Sequence, residues 1–462
     1  MNSQEPINSK LFQSTEKSFY LENLGCAKNQ VDAEIMTAAL EKSGWMWRES
    51  PDEAALIIVN TCGFIDPAKQ ESIERIIEFQ QKYPGKKILV TGCLAQRYGV
   101  PLKEKIPGLA GIFGNGSPAR IPPFAEEVLQ GHEDAMFPDL SLSGDLPRKR
   151  LFSFQGSAYV KIAEGCDNRC TYCAIPGIRG SLRSRSVKSI TEEVRELISR
   201  GTREVILIAQ DLSSYARDTG EASLTDLIGA LGELSGDFWL RMLYIHPDHF
   251  PLDILDLCKK DKRILPYFDL PFQHSSKNIL KKMGRTGSGR EYLTLINTIR
   301  DELPDAVIRS TFLVGFPGEG REDFMDLIDF QQEAEIDWLG VFSYSREEDT
   351  PAYSLTGPFR YFFSRKKAEK RKSFIEEFQI PITARRLDRF IGREIGVFIE
   401  EDIPDEKLSI GRGYLNAPDV DGYVVVNTGN IRYRARAGNI IRAKIIKRNG
   451  VDLEGILLGG KN

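Results

Sequence analysis

Glu164-Gly165-Cys166-Asp167-Asn168-Arg169-Cys170-Thr171-Tyr172-Cys173 carries three cysteines in the spacing C-x3-C-x2-C. Three thiolates on one loop can hold a 4Fe–4S cluster through three of its irons, leaving one iron open to a ligand. A structural zinc site closes with four ligands, commonly as paired C-x2-C units or with histidines. The chain has only four histidines, and none lies beside this loop. The loop follows the apolar run 158–162, the first of six short strand candidates; the others are 205–209, 239–245, 267–270, 307–314 and 339–344. Helical patterns such as 190–199 and 290–300 separate them. Six βα units predict an open, partial form of the parallel barrel, with functional residues at the carboxyl ends of its strands. The cysteine loop lies on that edge.

Upstream, from residue 19 to about 125, short apolar runs again alternate with amphipathic helices. Residues 56–60 and 88–90 have the composition of buried parallel strands, and 72–79 has helical periodicity between them. Three more cysteines each follow such a strand: Cys26 after Tyr20-Leu21-Glu22-Asn23-Leu24-Gly25, Cys62 after Asn60-Thr61, and Cys93 after Val90-Thr91-Gly92. Ligands of an open parallel sheet collect outside the carboxyl ends of its strands. Three thiols arriving there could hold a second cluster, or could be small buried apolar residues, as cysteine often is. Cys258, in the helical run Leu255-Asp256-Leu257-Cys258-Lys259, is expected in the core.

Residues 132–156, with prolines, glycines and the basic Arg148-Lys149-Arg150, have the composition of a linker. Residues 365–387 form a charged helical stretch expected to break at Pro381. After residue 391 short strands (396–399, 423–426 and 440–446) alternate with glycine turns, predicting a small antiparallel barrel of OB size. The predicted domains are therefore 17–130, a linker 131–155, 156–388 with its trailing helix, and 389–460.

With 462 residues, 41% hydrophobic and 28% charged, the composition is that of a soluble globular protein of about three domains. No apolar stretch is long enough to span a bilayer. The first sixteen residues are expected to be disordered and lack the apolar core of a signal peptide, so a cytoplasmic protein without a membrane partner is expected. In a reducing cytosol seven cysteines point to metal ligands or catalytic groups rather than disulfides. A net charge of −4 argues against indiscriminate coating of nucleic acid.

On these motifs the chain resembles the methylthiotransferase family of radical S-adenosylmethionine (SAM) enzymes. The likeness covers nearly the whole chain, in the family's order: a three-cysteine domain, a radical-SAM barrel and a C-terminal TRAM domain. The cysteine loop, continued by Ala174-Ile175-Pro176 and Ile178-Arg179-Gly180, is the most specific segment. Leu24-Gly25-Cys26-Ala27-Lys28-Asn29-Gln30-Val31-Asp32, Asn60-Thr61-Cys62-Gly63-Phe64-Ile65 and Asn416-Ala417-Pro418-Asp419-Val420-Asp421-Gly422 resemble one branch of the family. That branch modifies an aspartate of the twelfth small-subunit ribosomal protein. The branch that modifies tRNA adenosine usually differs around the first two cysteines and has threonine-arginine-glycine after the radical loop. Asp349 and Gly320 depart from the pattern, standing where the family has glycine and a polar residue such as threonine.

The resemblance implies an α/β protein: an open parallel sheet domain, a partial (β/α)6 barrel and a small OB-like β-barrel. It implies two 4Fe–4S clusters, one on Cys166, Cys170 and Cys173 whose open iron chelates SAM, and an auxiliary one on Cys26, Cys62 and Cys93. Tyr172 would pack near the adenine. Gln210 with Asp211, Gln273 with His274, Gly315 to Glu319, and Tyr344 are further pocket candidates at strand ends, with capping and turn-making as the alternative. SAM would serve as radical source and methyl donor, and an electron carrier such as flavodoxin or ferredoxin would reduce the monomeric enzyme. No side-chain acid or base is expected to carry the chemistry.

Two substrates compete, a ribosomal protein and tRNA. Residues 388–459 hold eleven acidic and eleven basic residues, a balance that does not favour a grip on phosphates. Ile431-Arg432-Tyr433-Arg434-Ala435-Arg436 puts three arginines on one strand face, suited to RNA or to solvent alike. The acidic residues Glu400, Glu401 and Asp402, with Asp405 and Glu406, could instead meet a basic ribosomal protein; composition leaves both open, and the motif resemblance favours the protein. The C-terminal domain is expected to be separable from the barrel. A metal-bound RNA-binding protein without catalysis is the third possibility, to be separated by metal analysis.

Overall fold

The computed structural model describes residues 17–132, 134–142, 146–429 and 436–458. The first sixteen residues, and Arg432 and Arg434, lie outside the described residues. The described residues form two compact units, the first drawn from residues 17–63, 67–139 and 148–150, and the second from the others.

In the first unit β1 (Ser18–Asn23), β2 (Met46–Trp47), β3 (Leu56–Thr61), β4 (Lys87–Gly92), β5 (Gly111–Phe113) and β6 (Asp134–Met136) form one sheet in the order β2-β1-β3-β4-β5-β6. Every pairing is parallel. All six residues of β3 are buried, as a central strand covered on both faces requires. Arg148, from the stretch expected to be a linker, is buried in this unit against the Glu34 carboxylate.

The second unit opens with β7 (Ser157–Lys161), followed by the antiparallel pair β8 (Ala163–Glu164) and β9 (Arg183–Ser184). The series continues with β10 (Glu204–Ile208), β11 (Trp239–Met242), β12 (Ile264–Asp269), β13 (Val307–Val314) and β14 (Trp338–Ser343). These six parallel strands form an open sheet in the order β14-β13-β12-β11-β10-β7. Cys258 lies in the large core packed against this sheet.

The helix Pro358–Asp388 runs unbroken through Pro381, contrary to expectation. Pro381 and Glu377 are both exposed, so water can satisfy the carbonyl that the proline leaves without a donor. On the buried face Gln379 donates to the Ile336 carbonyl at 2.7 Å, and the Thr383 hydroxyl to that of Asp337 at 2.9 Å, tying the helix to the start of β14.

The C-terminal strands β15 (Glu394–Ile403), β16 (Leu408–Gly413), β17 (Val424–Asn427), β18 (Ile440–Asn449) and β19 (Asp452–Leu457) close into a barrel in the order β15-β16-β17-β19-β18. Strands β16 and β19 were not expected. The pairing of β17 with β19 is parallel, a departure from a purely antiparallel meander.

Where a separable domain was expected, this barrel shares a buried seam with the preceding sheet. It sits on the amino ends of the parallel strands: a Cβ on Gly438 would meet the Gln155 carbonyl, one on Gly396 would meet Trp239, and Trp338 donates its indole N–H to the Leu415 carbonyl at 2.7 Å. Glu204, at the start of β10, is the centre of the seam. It accepts from Arg241 Nε at 2.9 Å and from Arg412 at 2.6 Å, and all three side chains are buried. Arg412 also pairs with Glu400, which removes Glu400 from the acidic face that could meet a basic protein. The family-like segment Asn416 to Gly422 serves the same seam. Asp421 accepts from the Tyr267 hydroxyl at 2.6 Å and faces Arg309 at 3.5 Å.

Burial raises the Glu204 carboxyl, but Arg412 and Arg241 outweigh it and hold the group at about 2. Glu204→Gln leaves two buried guanidinium groups without their shared counter-charge, and it should lower stability by about 3–5 kcal/mol. Unfolded glutamate titrates near about 4.3, so this contribution is full above that pH and is lost as pH falls toward about 2. Thermal unfolding of wild type and variant at several pH values checks both claims: the gap in midpoint should be largest near neutrality.

Candidate active site

The cysteine loop leaves β8 at Gly165 and ends at the short helix Ile175–Arg179. Its base is pinned by Glu164, which is buried, pairs with Lys161, and accepts from Arg179 at 3.1 Å. Gly165 has φ +70°, and a Cβ there would lie 2.0 Å from the Ser181 carbonyl, so only glycine fits. On the far side Gly284 (φ +76°) lets the backbone pass under the Arg169 carbonyl. Thr171 N–H donates to the Met283 carbonyl at 2.9 Å and its hydroxyl to that of Lys282 at 2.7 Å. Asn168 donates to Asp211 at 2.8 Å. Three thiols on so braced a loop are held in place before any metal arrives.

Burial pushes the Cys166 thiol up to about 11 and that of Cys173 up to about 12. Protein surroundings alone therefore keep them protonated at neutral pH, and bound iron would displace those protons. Around the loop, at the carboxyl ends of β12 and β14 and on the turn that braces it, His274 Nε2, Ser275 Oγ, Arg285 Nε, Ser343 Oγ and Tyr344 Oη are buried without hydrogen-bond partners. Unsatisfied groups concentrated on one edge suit a polar ligand. Donor chemistry and polar edge both fit a three-thiolate cluster with a polar ligand on its open iron.

The other expected residues share this edge but differ in use. Asp211 is nine-tenths buried and fully engaged, accepting from Asn168, Ser213, Ser214 and the His246 N–H, so it positions the loop instead of lining a pocket. His274 is buried, and its Nδ1 accepts from the Ser275 and Ser276 N–H groups at 3.0 Å each. Burial lowers it to about 4, so it is neutral with the proton on Nε2. Gln210 is half-buried after β10. Gln273 has φ +67°, and its backbone continues the ladder with Thr311 and Leu313 of β13. Tyr244, after β11, is likewise at φ +68°. Such strain in non-glycine residues gathers at functional edges, and no sequence pattern marks it. Tyr172 packs with Phe316, Tyr344 and Met283. Gly315 and Tyr344 line a cleft of about 590 Å³ bounded by the helix Pro358–Asp388. Asp349 has φ +62°, a conformation that the glycine expected at this position would adopt without strain. Gly320 caps the helix Arg321–Ala334, its N–H donating to Asp323 at 2.8 Å.

In the first unit Cys26, Cys62 and Cys93 follow β1, β3 and β4, three adjacent parallel strands. A Cβ on Gly25 would lie 2.9 Å from the Cβ of Cys62. Cys26 caps the helix Ala27–Lys42 and Cys93 opens the helix Cys93–Lys105. The positive ends of both helices favour thiolates. Asn29 links the three strand ends. It donates to the Leu24 and Thr61 carbonyls at 3.1 and 2.9 Å, and its Oδ1 accepts from the Cys93 thiol at 3.4 Å. Asn115 donates to Cys93 at 3.5 Å, and its Oδ1 is buried without a partner. Asn29 lay inside the first cysteine motif, but its bridging part could not be read there, and Asn115 carried no signal at all. Among the described residues no three His, Cys, Asp or Glu side chains close on one point as around a single metal ion.

Residues 18–114 match the Uncharacterized protein family UPF0004, 160–330 the Radical SAM superfamily and 391–458 the TRAM domain. The fold and the cysteine loop thus define a radical-SAM enzyme. The ribosomal protein uS12 methylthiotransferase RimO of Treponema denticola is 43% identical over 94% of this chain and 99% of its own length. Proteins of the same name from Aquifex aeolicus (40% identical, 94% and 95% covered) and Thermotoga maritima (38%, 94% and 98%) are similar throughout. The chain belongs to this family, the RimO radical-SAM methylthiotransferases. The radical S-adenosylmethionine methyltransferase TsrM from Kitasatospora setae, solved with cobalamin and a 4Fe–4S cluster bound, overlays with a TM-score of 0.53 at 13% identity, covering 73% of this chain and 74% of that one. That likeness is one of fold.

Gly165→Ala should cost roughly 1–3 kcal/mol, since it adds a left-handed non-glycine residue and drives a methyl into the Ser181 carbonyl. Denaturant unfolding of the cluster-free protein measures this, and an unchanged midpoint would mean the loop is not held as described.

Proposed function

We propose that this chain adds a methylthio group to Cβ of an aspartate in ribosomal protein uS12. The observation that carries this is the presence of two triple-cysteine sets, each at the carboxyl edge of a parallel sheet, in a chain similar from end to end to the RimO enzymes. When bound, the two clusters and SAM supply the radical that opens an unactivated C–H bond and the methylated sulfur that replaces the hydrogen, work beyond any side-chain acid or base at neutral pH.

The protein supplies placement. Cys166, Cys170 and Cys173 would hold one cluster through three thiolates, with Asn168, Asp211 and the 282–285 turn fixing their loop. Tyr172 would pack beside the adenine, while Gln210, Gln273 and Gly315 would border SAM from the strand ends. Cys26, Cys62 and Cys93 would hold the second cluster, with Asn29 setting their spacing. The aromatic cluster around Tyr172, Phe316 and Tyr344 would exclude water from the reacting groups. The enzyme would work in the cytoplasm as a monomer, reduced by a carrier such as flavodoxin or ferredoxin.

The test is direct: incubate the reduced, cluster-loaded enzyme and SAM separately with uS12 and with tRNA, and look for the mass of an added methylthio group. Product on uS12 alone is expected, and product on tRNA alone would overturn the proposal. Replacing Cys166, Cys170 and Cys173 together by alanine should remove about half the iron and abolish 5′-deoxyadenosine formation. Cys26→Ala, Cys62→Ala or Cys93→Ala should each stop methylthiolation while SAM cleavage continues.

A further inference from the structure

The helix Pro358–Asp388 begins with an unusual surface. Phe359, Phe362 and Phe363 are 78%, 65% and 60% exposed, and their rings stack edgewise, Phe363 lying 4.9 Å from Phe359 and 5.6 Å from Phe362. Their spacing is i, i+3, i+4, and Lys366, Lys367 and Lys370 continue the same face through the next two turns. The opposite face, with Ala368, Arg371 and Ile375, is buried. Between Pro358 and Lys372 stand seven lysines and arginines against one glutamate, on a chain whose net charge is −4. Arg371 pairs with Glu319 and Lys372 with Glu376; the other five cations make no ion pair among the described residues. Soluble chains rarely leave contiguous aromatic surface bare unless something covers it.

We propose that this stripe is a docking surface for single-stranded or looped RNA. Exposed aromatic rings stack on unpaired bases, and cations alongside them track phosphates. Arg360 and Lys367 from the helix and Lys282 from the barrel also rim the cleft of about 590 Å³ described above. The Lys282 carbonyl receives the Thr171 hydroxyl of the cysteine loop, so RNA lying along the stripe ends beside the reacting edge. A ribosomal protein, itself built to neutralise RNA, would be repelled by these cations. An interfacial membrane helix carries its apolar face along its whole length with cations on the other face; here the phenylalanine turn gives way to lysines on the same face, and only beyond them are Phe374 and Ile380 exposed, so cations interrupt the apolar stripe. The proposal deepens the assignment of a ribosomal substrate and rests on it for one consequence: the stripe would bring the enzyme to uS12 in its RNA setting.

The full-length, cluster-loaded enzyme is titrated against a short fluorescein-labelled single-stranded RNA by anisotropy, between about 0.05 and 0.2 M salt. Combined Arg365→Gln, Lys366→Gln and Lys370→Gln should flatten the slope of log affinity against log salt by about two. Combined Phe359→Ser, Phe362→Ser and Phe363→Ser should weaken binding about tenfold or more and leave the slope alone. All six positions are exposed, and unchanged 5′-deoxyadenosine formation verifies the fold. Both variants should still modify isolated uS12 but lose modification of the assembled small subunit. Equal RNA affinity for wild type and variants, or binding to phosphatidylserine vesicles but not to RNA, overturns the proposal. Should isolated uS12 stay unmodified while RNA binds through the stripe, the substrate assignment falls and the docking surface stands.

Discussion

A single carboxylate, Glu204, shared between the buried guanidinium groups of Arg241 and Arg412, fixes how the second unit is arranged. Removing three charges from water is tolerable only when each is paired and hydrogen-bonded. The Arg241 guanidinium meets this demand by also reaching the Tyr414 carbonyl at 2.9 Å. Because Glu204 begins its strand, the C-terminal barrel is committed to the amino ends of the sheet. The carboxyl ends, one strand length away, are left for the cysteine loop. The same polarity governs the first unit, where three adjacent strands deliver their cysteines to one edge.

What the sequence made legible follows from how local each signal is. The cysteine loops, the six barrel strands and the core position of Cys258 depend on spacing and periodicity within about ten residues, and they stand where those patterns put them. Pro381 misled because a proline's damage depends on whether water reaches the carbonyl it orphans, and that is tertiary information. Strands β16 and β19 escaped notice because Leu408-Ser409-Ile410-Gly411-Arg412-Gly413 and Asp452-Leu453-Glu454-Gly455-Ile456-Leu457 mix glycine and charge with their apolar residues. Arg412 is in fact among the largest fully buried side chains.

The candidate site was legible in its cysteines and opaque in its supports. Asp211 and His274 were marked by position alone, yet one fastens the loop and the other is enclosed in a turn. Asn416 to Gly422 was readable as a family mark, but only the folded chain gives it work, placing Asp421 against Tyr267 and Arg309. The charged character of the helix beginning at Pro358 was plain. That its phenylalanines face water could not be known without knowing which face the sheet covers.

The unbroken helix Pro358–Asp388 has a consequence for how such chains recombine. At 31 residues it is roughly 46 Å of rigid rod, running from the cleft to the first strand of the C-terminal barrel with no hinge. The covalent boundary near Phe390 is therefore not an energetic one, because Arg412 and Asp421 are bound to side chains of the preceding barrel as much as to their own. Grafting the C-terminal barrel of one relative onto another would transplant half of a lock. An exchange of this module that kept the seam intact would have to carry Glu204, Arg241 and Tyr267 along with it, a unit that domain borders drawn along the sequence would cut in two.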